Sequence, residues 1–143
     1  EVAQVIRGPL MTPSGLVFAQ LQKKSGETKK IGLHENSAVM SSDRTGMNVK
    51  ALTDADFIWI PLLMLESSVL LHRTRGKETE FGLLSGGGEW KTLWKAPEGE
   101  QVGFPRISKD RKSLLFAVLK DGNGDGKLTP GEDPSYILKM DLE

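Results

Sequence analysis

The apolar positions of this chain come in short runs, each closed off by residues that turn the backbone. Leu16-Val17-Phe18-Ala19, Phe57-Ile58-Trp59-Ile60, Val69-Leu70-Leu71-His72 and Tyr136-Ile137-Leu138-Lys139-Met140 are such runs, with Gly, Pro, Asn, Asp and Ser between them. Runs of this length bounded by turn chemistry predict strands. Ser113-Leu114-Leu115-Phe116-Ala117-Val118-Leu119 is continuous, and periodicity alone leaves it a buried strand or part of a helix. Downstream, Gly131 and Pro134 stand where an exiting helix would begin, against helix propensity. The context therefore favours a strand, a loop and a returning strand.

Three stretches repeat one order of events. The first passes through Val5-Ile6-Arg7-Gly8-Pro9, the turn Thr12-Pro13-Ser14-Gly15, then Leu16-Val17-Phe18-Ala19 and Lys30-Ile31-Gly32-Leu33, and closes on Val49-Lys50-Ala51-Leu52. The second passes through Phe57-Ile58-Trp59-Ile60-Pro61, Leu65-Glu66-Ser67-Ser68, Val69-Leu70-Leu71-His72 and Glu80-Phe81-Gly82-Leu83, and closes on Trp90-Lys91-Thr92-Leu93. The third passes through Val102-Gly103-Phe104-Pro105, Ser108-Lys109-Asp110-Arg111-Lys112, Leu114-Leu115-Phe116-Ala117 and Tyr136-Ile137-Leu138-Lys139, without a fourth strand. Each unit thus predicts an apolar strand ending at Pro, a turn, a second strand, a hairpin and a third strand. Four antiparallel strands in a repeat of roughly 40–50 residues are what a β-propeller blade requires. The expected organisation is a single propeller-like domain over 1–143, with units at about 1–53, 54–95 and 96–143.

The segments Pro105-Arg106-Ile107-Ser108-Lys109-Asp110, Ser113-Leu114-Leu115-Phe116 and Tyr136-Ile137-Leu138-Lys139-Met140-Asp141-Leu142 resemble the WD40-like repeat of TolB-type β-propellers. Those blades read approximately Pro-x-x-Ser-Pro-Asp-Gly, an apolar strand, then a strand ending in Met-Asp or Leu-Asp. Here Lys109 stands for the usual Pro and Arg111 for the usual Gly, and Leu65-Glu66-Ser67-Ser68 lacks the turn signature. The resemblance implies a scaffold for protein contacts and, in some relatives, a domain attached to a peptidase.

The most specific chemistry lies in residues 121–132, DGNGDGKLTPGE. With Asp121 first, oxygen side chains fall on the third (Asn123), fifth (Asp125), ninth (Thr129) and twelfth (Glu132) positions. Gly126 takes the sixth position, where such a loop turns sharply, and Lys127 the seventh, where only a backbone carbonyl is needed. A hard cation such as Ca²⁺ takes about six to eight oxygens, and this spacing wraps them round one point. Asp133 is a substitute or extra ligand. A plain glycine-rich hairpin is the alternative, since Asn-Gly and Asp-Gly are turn signals, but it needs no oxygens on alternate positions.

Composition narrows the function. The chain has 143 residues, enough for one domain with its own core. Lys plus Arg equals Asp plus Glu, 19 against 19, so no bulk field points to nucleic acid or an anionic membrane. The absence of cysteine excludes disulfides and thiolate metal sites. The longest apolar stretch, residues 57–65, is too short to span a bilayer and contains Pro61, which argues against membrane insertion. Beginning at Glu1 with no signal-peptide pattern, the sequence reads as a processed or excised segment.

No catalytic constellation is legible. Gly82-Leu83-Leu84-Ser85-Gly86 has the wrong spacing for a nucleophile elbow. His34 and His72 are the two histidines, His72 at the strand position that Phe116 holds in the third unit, and both read as structural. Gly122-Asn123-Gly124-Asp125-Gly126-Lys127 fails as a phosphate loop, because Leu128 stands where Ser or Thr must hold Mg²⁺. The lysines around Ser25-Gly26-Glu27-Thr28 read as a solvated hairpin. Trp59 reads as core, whereas Trp90 and Trp94 fall on an outer strand, where exposure would signal a contact surface.

These readings converge on an all-β protein of about three four-stranded antiparallel blades, a partial propeller or part of a larger ring. Its expected role is a non-catalytic, calcium-binding module for a protein partner, in the periplasm or outside the cell, where even a weak Ca²⁺ site fills. Copies joining head to tail would complete a ring. The alternatives are the propeller domain of a larger hydrolase or peptidase and a helical EF-hand or dockerin-like module.

Overall fold

The computed structural model describes residues 4–21, 35–129 and 131–142, which form three antiparallel sheets in chain order. No helix occurs among the described residues. In the first sheet β1 (Gln4–Met11), β2 (Gly15–Leu21), β3 (Ala38–Asp43) and β4 (Lys50–Ala51) lie side by side in that order. The second repeats the arrangement with β5 (Ile58–Leu65), β6 (Ser68–Arg75), β7 (Glu78–Ser85) and β8 (Trp90–Lys95). The third holds β9 (Glu100–Ile107), β10 (Ser113–Lys120) and β11 (Ser135–Asp141).

The second sheet is apolar on both faces because its neighbours cover both. Val69, Leu71, Leu84 and Trp59 pack against Val17, Ala19 and Val39 of the first sheet. On the opposite face Leu70 and Phe81 pack against Leu114, Phe116 and Val118 of the third. This follows from the two-residue period of a strand: adjacent Leu70 and Leu71 must point to opposite faces. Continuous apolar runs such as Val69-Leu70-Leu71 are therefore the signature of a sheet buried on both sides.

The prolines of the first strands do not end them. β1, β5 and β9 run on through Pro9, Pro61 and Pro105. Each instead carries an irregularity at its proline: register shifts between Arg7 and Leu10, between Pro61 and Leu63, and between Arg106 and Gly103. In every case the first strand holds one residue more than its partner across the shift. A bulge is where a residue without an N–H can sit inside a ladder, so the punctuation read as a stop is a bend.

The predicted third strand at Lys30-Ile31-Gly32-Leu33 and the hairpin of residues 23–29 lie outside the described residues. The antiparallel partner of β2 is β3, with Phe18 opposite Met40 and Ala19 opposite Val39. In the second sheet the hairpin expected over residues 73–78 tightens to Gly76-Lys77, with Arg75 opposite Glu78. Gly76 takes a positive φ of 58°, as a two-residue hairpin requires.

Trp90 and Trp94 are turned inward. An extra residue in β8, between the pairs Phe81–Trp94 and Gly82–Thr92, sends the two rings to opposite faces. Trp90 meets Trp59 edge-on at 5.2 Å, and Trp94 lies 4.8 Å from Phe116. Gly82 makes the first contact possible: a Cβ there would stand 2.4 Å from the Trp90 ring. Trp59 is core, as its sequence context predicts.

Candidate functional site

Residues 121–133 join β10 to β11, so strands rather than helices flank the loop and the helix–loop–helix form is absent. Its side-chain oxygens bind the loop's own backbone. The Asp121 carboxylate accepts the N–H of Gly124 at 2.7 Å and of Gly126 at 2.8 Å. The Asn123 carbonyl accepts from the Asp125 N–H at 2.9 Å, and Asp125 accepts from the Lys127 N–H at 2.8 Å. Each oxygen on an alternate position thus pulls the next amide inward, and the chain winds in one direction. Gly124 and Gly126, at φ of 75° and 77°, supply the left-handed backbone that this winding needs.

Asp133 closes the loop. It is buried, and its two oxygens accept from the Gly122 N–H at 3.1 Å and the Thr129 N–H at 2.7 Å, tying the loop's start to its end. The Glu132 N–H donates to the Thr129 carbonyl at 3.1 Å, and the Glu132 residue is exposed. Behind the loop, Lys120 N–H donates to the Pro134 carbonyl, and the Tyr136 hydroxyl donates to Glu100, fastening β11 to β9.

The donor set suits a hard cation in kind: Asp121, Asn123, Asp125, Thr129 and Glu132 offer only oxygen, and Lys127 its carbonyl. A carboxylate accepting one or two N–H groups keeps lone pairs free for a metal. Among the described residues no three His, Cys, Asp or Glu side chains stand close enough to hold an ion as they are placed. Binding would therefore draw Asp125 and Glu132 towards Asp121.

A second polar cluster was not anticipated. An open cleft of about 420 Å³ between the first two sheets is lined by Asp54, Asp56, Phe57, Trp59, Arg73 and Trp90, among others. The Arg73 guanidinium lies 4.2 Å from the Phe57 ring centre and 4.3 Å from that of Trp90, and pairs with Glu80 at 2.9 Å. Burial pushes the Glu80 carboxyl up, but hydrogen bonds from Thr92, Arg73 and Trp90 outweigh it and hold the pKa below the usual range. The cluster fills its aromatic box with the protein's own cation, which makes it a clasp between strands. Its ion pair was in fact legible: a two-residue turn at Gly76-Lys77 places Arg73 opposite Glu80.

His72 is buried against Phe81, with ring centres 4.9 Å apart, and faces the third sheet. Phe116 faces back towards the second sheet, so the two do not hold equivalent positions. Burial lowers the His72 pKa from 6.5 to about 4, which keeps the ring neutral at pH 7. With Thr74 at 3.4 Å and no nucleophile in reach, it has nothing to activate. His34 lies outside the described residues.

No family model, curated protein or solved structure matches the chain. Among the described residues no helix is long and apolar enough to cross a membrane.

Proposed function

We propose that this chain is a partial β-propeller of the WD40-like, TolB-type repeat class, acting as a non-catalytic protein-binding module with a Ca²⁺ ion held by residues 121–133. The observation that carries the reading is one device used three times. In each of three consecutive sheets the first strand bulges at its proline, and the second strand returns antiparallel to it. A middle sheet covered on both faces is how neighbouring blades support one another. Arg111 adds a local point: at the position where the repeat carries Gly, it adopts a left-handed φ of 63°. The role is binding rather than turnover, since neither histidine has a partner constellation in the sequence. A millimolar-range Ca²⁺ site would fill in the periplasm or outside the cell, which is where we place the protein. Its remaining blades come from elsewhere in a ring, and head-to-tail copies are one source.

Thermal unfolding in excess chelator and in millimolar Ca²⁺ tests the metal. An ion that binds only the folded loop stabilises by mass action, about 2.7 kcal/mol at a hundredfold excess over Kd. For a chain of this size that is a rise in Tm of roughly 5–10 °C. Asp125→Ala and Glu132→Ala should each abolish most of the rise, and Mg²⁺ should substitute poorly because it holds its waters. Identical melting with and without Ca²⁺ would remove the metal from the proposal.

A further inference from the structure

Two of the three sheets carry a fourth strand beside their third: β4 pairs with β3, and β8 pairs with β7. In the third sheet, among the described residues, β11 is paired on one side only, with β10. We infer that the free edge of β11 is a docking site for an extended peptide segment of a partner protein, added antiparallel as a fourth strand. The inference takes up the protein-binding part of the proposed function and is independent of the metal.

Three observations support this edge over the others. First, it is long and regular. β11 pairs with β10 from Ser113–Asp141 to Leu119–Ser135 without a register shift, so its backbone is straight enough to template another strand. Second, it is weakly guarded. Proteins protect free edges with short strands, lysines, prolines and bulges. β4 spans only Lys50–Ala51, while β8 is bulged, carries Lys91 and Lys95, and turns both its tryptophans inward. β11 has no proline or bulge, and its one lysine is paired with Asp141 at 3.0 Å. Ile137, 75% exposed, stands in its middle.

Third, the neighbouring sheet shows what the occupant must look like. The loop end at Gly88 approaches the Leu52 carbonyl of the first sheet so closely that a Cβ would stand 2.7 Å from it, so the fourth-strand regions of adjacent sheets lie against each other. A strand beside β11 would by the same arrangement come to lie over β8, whose half-buried Leu93 and Trp94 pack into the core between these sheets. It must then carry apolar side chains at alternate positions facing Trp94, with polar ones between. Main-chain hydrogen bonds would supply affinity and the alternating side chains specificity.

The probe is a labelled peptide of residues 89–95, the stretch containing the segment that fills this place in the second sheet. Saturable binding is expected, with amide-exchange protection rising in β11. Two N-methylated peptides then separate edge pairing from general stickiness, because alternate amides of a strand point to opposite sides. Methylating the set that faces β11 should weaken binding at least tenfold, since each lost hydrogen bond contributes on the order of 1 kcal/mol and the methyl groups add bulk. Methylating the opposite set should change it little. No binding, equal effects of the two methylation patterns, or protection outside β11 would overturn the site. Because the assay runs alike in Ca²⁺ and in chelator, its failure is distinct from failure of the metal site.

Discussion

Phe81→Ala should destabilise the protein by about 3–5 kcal/mol, the range for emptying a large aromatic site in a packed core. Phe81 is fully buried, and its ring centre lies 4.7 Å from Phe116, 4.9 Å from His72 and 6.1 Å from Trp94. It is thus the point at which the middle sheet grips the third. Urea unfolding measures the loss, and Ile137→Ala is the control. That side chain is on the open face of β11, where truncation should cost no more than about 0.5 kcal/mol. Comparable small losses from both variants would mean that the second and third sheets do not pack through this ring.

The second large effect should appear in acid. Because burial lowers the His72 pKa to about 4, the unfolded chain takes up a proton near pH 6.5 while the folded chain resists it until about pH 4. The unfolded state binds more protons across that window, so stability falls as pH drops from 6.5 to 4 and this contribution then levels off. Above pH 6.5 the group contributes no pH dependence. The full loss is at most about 3 kcal/mol, because each tenfold difference in proton affinity between the two states is worth about 1.4 kcal/mol. Urea melts at pH 7 and pH 4.5 read it as the difference between the natural protein and His72→Leu. The carboxylates titrate in both, so the histidine's share is what the substitution removes. Parallel pH profiles for the two proteins would show that the imidazole is hydrated when folded.

Most strands were legible because their information is local. The two-residue period and a tight glycine turn define β6, β7 and the pairing of Arg73 with Glu80 without reference to the rest of the chain. β3 was not, because Ala38-Val39-Met40-Ser41-Ser42-Asp43 is half polar and becomes a strand through its partner β2. The first strands were read short for a different reason: proline removes a donor, but a bulge accommodates that loss inside a strand. In the loop, the order of oxygens was plain from spacing. That Asp133 would be buried and tied to the amides of Gly122 and Thr129 was not, since it depends on where β10 delivers the chain and β11 takes it away.

The burial of the middle sheet on both faces has a consequence for how the molecule comes apart. In a row of units that touch only their neighbours, an end unit can melt by giving up one interface, whereas the central one must give up two. Opening should therefore begin at the flanks and travel inward, with the amides of β6 and β7 exchanging last, at the rate of global unfolding. The loop at residues 121–133 and the edge of β11 belong to a flanking unit. They can breathe while the centre holds, which leaves the protein a region free to order around what it binds.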